Sequence, residues 1–318
     1  MIRLFYINEQ GRLTWEKSAG LLQPADSQRI VWVDLQESSA VEKATVERHF
    51  GIELFTAQEA AEIESSSRFF EGHDYLEGNN SFILYADRSL ETEQVSFIVQ
   101  RGVLFTLRNA DLKAFALTVK RLKTLRAAKE VDGLYMLLTL IEFQIDLDAD
   151  FIEHLSRLTT DISRKLTKER SFKEQVLIDI TELQENTILA RESIVDKQRL
   201  VSSLLKSHNV EESDKERLRV IIKDIGSILQ HTQFNFERLE YLQNTFLGLV
   251  NIEQNKVIKI FTVVTVIFMP PTLIASIYGM NFRHMPELGW RGGYPFALGL
   301  MVAASLLFLW FFRRKRWL

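Results

Sequence analysis

The sequence predicts an α+β membrane protein with an N-terminal α/β domain, a long helical stalk and two C-terminal transmembrane helices. Three observations carry this. Strand-like runs are confined to the first 110 residues, proline is absent between Pro24 and Pro270, and two apolar runs of about twenty residues close the chain. The mean hydropathy of −0.04 and a hydrophobic share of 46% would suit a soluble protein. The signal lies in segregation, because the longest uncharged apolar runs all fall beyond Lys259.

Residues 1–110 read as a mixed α/β domain. Runs at 3–7, 30–35, 82–86, 95–100 and 103–107 are rich in aromatic and β-branched residues, which favour strands. The last two flank Arg101-Gly102, a dipeptide suited to a tight hairpin turn. Short helices are expected at 38–49 and 56–63. The N-terminus has no long apolar segment behind a basic one, so the expectation is a domain that starts and stays in the cytoplasm.

Residues 111–256 form the helical and stalk region, with apolar residues spaced by three and four. Helices are expected near 111–128, 132–169 and 172–207, then one long helix from Ser213, where Ser213 and Glu216 have the spacing of a capping box. No strong breaker follows until Pro270. At about 1.5 Å per residue such a helix would run roughly 100 Å and lead directly into lipid.

The first span is placed at 257–278 and the second at 292–312, each about twenty residues long and able to cross a hydrocarbon core of ~30 Å. Charge appears only at the edge, as Lys259. The basic tail at 313–318 and the pair Lys256 and Lys259 put both membrane-flanking clusters in the cytoplasm, leaving 279–291 as an external loop.

Two helices cannot enclose a wet path, so any conduit needs several copies. On the first span Asn255, Ile258, Thr262, Thr265, Met269, Thr272 and Ser276 fall on one stripe, and five of the seven carry a hydroxyl or amide. Leu239, Leu242, Phe246 and Leu249 mark a different, apolar face of the same helix. A path along a wet axis explains the stripe; Ser and Thr bonding their own i−4 carbonyls explains any single member equally well. A neutral amide ring at Asn281, with a second at Asn255, would accept hydrogen bonds from the waters of a hydrated cation without stripping them. Helix termination by a left-handed cap is the other explanation of Gly279 and Asn281. Ile258 and Met269 place apolar side chains on the stripe, where a hydrophobic constriction or plain packing would both fit. Pro270-Pro271 should bend or loosen the span.

Several classes are excluded. A net charge of −3 and a pI near 6.1 give no basic signature for nucleic acid. With no cysteine there is no disulfide, thiolate metal site or Cys nucleophile. The soluble part offers no nucleophile–base pair, phosphate loop or organic-cofactor motif, so an enzyme is not expected.

Tyr278-Gly279-Met280-Asn281-Phe282 closes the first span, Met285-Pro286-Glu287-Leu288 follows, and Gly293-Tyr294-Pro295 enters the second. With Asn251-Ile252-Glu253-Gln254-Asn255 and Phe268-Met269-Pro270-Pro271-Thr272-Leu273 upstream, the chain resembles the CorA family. The resemblance implies a funnel-shaped homopentamer in the bacterial inner membrane, with both termini cytoplasmic and the first span lining a central pore. It implies passive movement of Mg²⁺, and also of Co²⁺ and Ni²⁺, with Gly279, Met280 and Asn281 as the selectivity ring and Glu287 in the external loop. It further implies that cytoplasmic Mg²⁺ regulates the channel through carboxylates shared between copies, for which Asp74, Asp87, Asp214 and Asp224 are the candidates. Members of that family usually carry an acidic residue just after the Asn-Phe, whereas this chain has Arg283-His284. A zinc transporter of the ZntB type is the alternative; its usual ligands are His, Cys or carboxylates, and the six histidines here are scattered.

Overall fold

A computed structural model describes residues 1–8, 12–18, 30–56, 69–86, 89–124, 131–168, 173–281, 283 and 285–315. The chain divides into two compact units, Met1–Leu242 and Gln243–Leu318.

The first unit is built on a mixed sheet. Its described strands are β1 (Ile2–Ile7), β2 (Leu13–Ser18), β3 (Ile30–Gln36), β4 (Phe69–Glu71), β5 (Tyr75–Ala86), β6 (Ser89–Gln100) and β7 (Val103–Arg108), in the order β2-β1-β3-β7-β6-β5-β4. Only β3 and β7 pair in parallel; the rest are antiparallel. Arg101 and Gly102 both have positive φ, +49° and +75°, the backbone that a two-residue hairpin matched to strand twist requires.

Strand periodicity sorts the core onto two faces. Ile2, Leu4, Val33, Leu35, Ile98 and Phe105 share one cluster with Val46 of α1 (Ala40–Phe50). On the other face Phe5 stacks on Trp32 at 4.3 Å, and Trp32 meets Phe115 of α2 (Lys113–Lys123) at 5.6 Å between ring centroids. Helix α1 has a complete capping box, with Ser39 and Glu42 bonding each other's backbone.

Three further helices follow: α3 (Gly133–Thr167), α4 (Glu174–Lys206) and α5 (Glu212–Tyr278). Helix α5 starts one residue before the expected cap. The Glu211 carbonyl accepts the first helical bond, from Lys215 N–H at 3.1 Å, so Ser213 lies inside the helix and caps nothing. Within the first unit, α5 buries Leu218, Ile221, Ile225, Leu239 and Leu242. It is held to α3 by Arg217, whose guanidinium bonds Glu142 (2.6 Å) and Thr139 (2.8 Å) and lies 4.8 Å from the Tyr135 ring centre.

Helix α4 closes an edge of the sheet. Among the described residues, strand β4 pairs with β5 as far as Gly78, and the outward N–H and C=O of Ser81 are met by α4 instead of a strand. Asp196 accepts from the Ser81 N–H (3.0 Å), while Ser193 Oγ (2.9 Å) and Lys197 Nζ (2.8 Å) donate to its carbonyl. Lys197 also pairs with Asp148 of α3 at 3.0 Å, both side chains being 1% exposed.

In the second unit α5 continues to Tyr278, and a short 3₁₀ turn, Pro286–Gly289, precedes α6 (Gly293–Arg314). The hydropathy of both membrane segments is high enough to span a bilayer, and almost nothing in them is buried within the chain. The expected element at 56–63 lies almost wholly outside the described residues.

Candidate ion pathway and external loop

Inside a membrane each backbone carbonyl needs a donor from the protein. Pro271 has no N–H, so it cannot serve the carbonyl of Ile267 four residues back. The hydroxyl of Ser305 on α6 donates to that carbonyl at 3.0 Å. The two prolines sit inside a continuous helix, and of the two donors they remove, the one owed to Ile267 is replaced from the neighbouring span.

Val263, Ile267, Pro270, Ile274 and Tyr278 of α5 are partly buried and lie on one face. The stripe Asn255, Ile258, Thr262, Thr265, Met269, Thr272 and Ser276 lies on another, and every member is exposed. Ile258 and Met269 are 53% and 62% exposed. A cavity of about 250 Å³ opens on the flank of this stripe, lined by Asn255, Ile258, Lys259, Thr262, Val263, Val266 and Phe312.

All three threonine hydroxyls donate to their own i−4 carbonyls, Thr262 to Ile258 (2.9 Å), Thr265 to Phe261 (2.9 Å) and Thr272 to Phe268 (2.7 Å). The two readings left open by the sequence are therefore compatible. A hydroxyl that spends its proton on the backbone still presents oxygen lone pairs outward. The stripe thus offers acceptors and no charge, the surface that suits the water shell of a hydrated cation.

Helix α5 ends with Gly279 N–H donating to Ala275 O (2.9 Å) and Met280 N–H to Ile277 O (3.2 Å). Neither Gly279 nor Asn281 has positive φ, so a left-handed cap does not explain the pair. Gly279, Met280 and Asn281 are exposed, and so is Glu287 in the 3₁₀ turn. That turn is pressed onto the start of α6: a Cβ on Gly293 would stand 2.2 Å from the Glu287 carbonyl oxygen, so only glycine fits.

The acidic candidates of the first unit do not converge. Asp74 and Asp214 line one cavity of about 740 Å³ with Asp132, Glu211 and Arg101, and Asp74 pairs with Arg101 at 3.8 Å. Burial raises the Asp214 carboxyl above its usual range; Asp132 and Glu211 reinforce this and Arg217 opposes it. Asp224 lies elsewhere on α5, where its charge adds to burial, Glu142 and Asp150 in raising Asp146. Asp87 lies outside the described residues. Among the described residues no three His, Asp or Glu side chains are grouped to hold a metal ion. The sequence reading missed the Asp132–Asp214 proximity, because its signal is spatial: Asp132 accepts the Tyr135 N–H at the start of α3, 82 positions before Asp214 in the chain.

The chain matches the family described as CorA-like Mg²⁺ transporter protein over residues 27–314. It is 34% identical to the magnesium transport protein CorA of Wolinella succinogenes, over 98% of this chain and 99% of the relative. It is 39% identical to the protein of that name from Pasteurella multocida, over 92% and 94%. Its fold is similar to the solved CorA magnesium transporter from Methanocaldococcus jannaschii, with a TM-score of 0.83 at 21% identity, covering 100% of this chain and 99% of the other.

Proposed function

The chain belongs to the family of CorA-like Mg²⁺ transporter proteins, and we propose that it carries Mg²⁺, with Co²⁺ and Ni²⁺, passively through a pore built from several copies. The observation that carries this reading is the exposed, uncharged stripe from Asn255 to Ser276, which leads to Gly279-Met280-Asn281 on the same helix. The backbone-bonded threonines support it, because uncharged oxygen acceptors hold a hydrated ion loosely enough to release it, as conduction requires.

On this reading the copies form a homopentamer in the bacterial inner membrane, with both termini cytoplasmic. Asn281 is the outer ring that accepts hydrogen bonds from the ion's waters, and Asn255 is the inner one. Ile258 and Met269 narrow the path with apolar side chains, which gate by dewetting. Mg²⁺ is both cargo and regulator, binding weakly to carboxylates shared between neighbouring copies; Asp74, Asp87, Asp214 and Asp224 are the candidate ligands. The magnesium transport names of both relatives, and the scattered histidines, weigh against the zinc alternative.

Reconstitution into vesicles tests this directly. Mg²⁺ and Co²⁺ should enter down their gradients without an energy source, and more readily than Zn²⁺. Zinc uptake in preference to magnesium would transfer the chain to the other activity. Native mass spectrometry showing only monomer or dimer would remove the pore.

A further inference from the structure

Residues 279–291 hold two arginines, Arg283 and Arg291, against one carboxylate, Glu287. All three side chains are exposed. From Met285 onward the loop has a described, hydrogen-bonded backbone. Glu287 lies in the 3₁₀ turn, whose carbonyl accepts from Trp290 N–H, and Trp290 O in turn accepts from Gly293 N–H at 3.0 Å. The glycine at 293 lets the Glu287 carbonyl rest against the start of α6, with Arg291 between the two. Whatever local pairs these charges make, the loop of each copy carries one net positive charge, with His284 counted as neutral, and Arg283 stands two positions after Asn281. Copies arranged around an axis add these charges together.

We infer that Arg283 and Arg291 make the external mouth a barrier to cation capture, so that these two side chains set how fast, and with what preference for ionic charge, ions reach the Asn281 ring. The inference rests on the transport reading above. A like-charged field penalises an ion in proportion to its charge, so a divalent ion is slowed more than a monovalent one. Fields of this kind change encounter rates by about tenfold or more. Their reach is about 30 Å at 0.01 M ionic strength and about 8 Å at 0.15 M, so salt removes the barrier. The usual dependence of a cation pathway on ionic strength is thereby inverted.

The test uses the full-length chain in vesicles of zwitterionic phosphatidylcholine, which add no net surface charge, with the same monovalent salt on both sides. Initial Mg²⁺ uptake at sub-saturating concentration should rise about three- to tenfold between about 10 and about 150 mM salt. The rate at saturating Mg²⁺ should not change, since capture is then no longer limiting. Arg283→Gln with Arg291→Gln should raise low-salt uptake and flatten the salt dependence. Arg283→Glu with Arg291→Glu should make uptake fall with salt. If the double variants fail to assemble, the wild-type salt slope and the single Arg291→Gln variant decide. Wild-type uptake that is flat or falls with salt overturns the inference while leaving transport intact. No Mg²⁺ flux under any condition overturns the transport reading instead.

Discussion

The hydroxyl of Ser305 donates to the carbonyl of Ile267 at 3.0 Å, and it stands where the absent N–H of Pro271 would otherwise belong. This bond fastens the two spans together at the point where α5 is weakest. Ser305→Ala should therefore cost about 0.6–1.7 kcal/mol, the range for side-chain bonds between membrane helices. Ser305→Thr, which keeps a hydroxyl, should cost less. Thermal unfolding in detergent measures both, and equal midpoints for wild type and the alanine variant would show that the carbonyl finds another donor.

Asn281→Ala should abolish selective Mg²⁺ flux while leaving the assembled protein intact. The proposed amide ring would be lost, but the helix end formed by the Gly279 and Met280 N–H groups uses only backbone. Uptake in vesicles and native mass spectrometry on the same preparation separate the two effects. Wild-type transport in this variant would reduce the loop to a structural turn.

Gly293→Ala places a methyl group 2.2 Å from the Glu287 carbonyl oxygen, and backbone rather than a flexible side chain must move. The 3₁₀ turn should detach from α6, and flux should fall at least tenfold with little loss of overall stability. Gly299→Ala is the control, because a Cβ there meets nothing within 4 Å. Uptake assays on the pair provide the comparison.

Lys197→Met should destabilise the first unit by about 3–5 kcal/mol, since it leaves the buried Asp148 carboxylate without its counter-charge. Removing both charges, as Lys197→Met with Asp148→Leu, should recover most of that loss. Denaturant unfolding checks it. A double variant no better than the single would place the cost at the Ser81 carbonyl rather than at the ion pair.

Asp214 provides a pH-dependent test. Burial, with Asp132 and Glu211, raises its carboxyl above the ordinary 3.8, so the native state is penalised once the pH exceeds that value, and fully so above the raised one. Asp214→Asn should lift the thermal midpoint at neutral pH by about 1–2 °C, a gain that vanishes as the pH falls below 4. Millimolar Mg²⁺ should give the wild type part of that gain and add nothing to the variant. A midpoint indifferent to Mg²⁺ in both would remove Asp214 from the regulatory candidates.

Much of this architecture was legible in the sequence, and the failures have physical causes. The spans and the long helices carry sustained periodicity, which tertiary context rarely overturns. Strand β2 (Leu-Thr-Trp-Glu-Lys-Ser) was missed because an edge strand with one solvated face has few apolar residues. The first half of β5 was missed because Gly78, Asn79 and Asn80 pair with Phe97, Ser96 and Val95 through the backbone ladder in spite of their side chains, and the first half of β6 because its run from Glu91 to Gln94 holds no apolar residue. The helix start at Glu212 instead of Ser213 shows that a four-residue capping signal is too short to fix a boundary. The stripe on α5 could be read from spacing, and the i−4 bonding of its threonines was one of the two readings the sequence offered; that it holds at Thr262, Thr265 and Thr272 together depends on rotamers, which spacing does not give.

The closure of the β5 edge by Asp196, Ser193 and Lys197 bears on how such a protein is assembled. Copies gathered side by side, as proposed above, would hold their sheets at high local concentration, and a bare strand edge is a template for pairing with the next chain. By occupying the Ser81 N–H and C=O from its own helix, each copy withholds that template before any neighbour arrives. In the multi-copy pore proposed above, chains could then stand close together without exchanging strands at Ser81, and the Lys197 that pairs with Asp148 would serve assembly as well as stability.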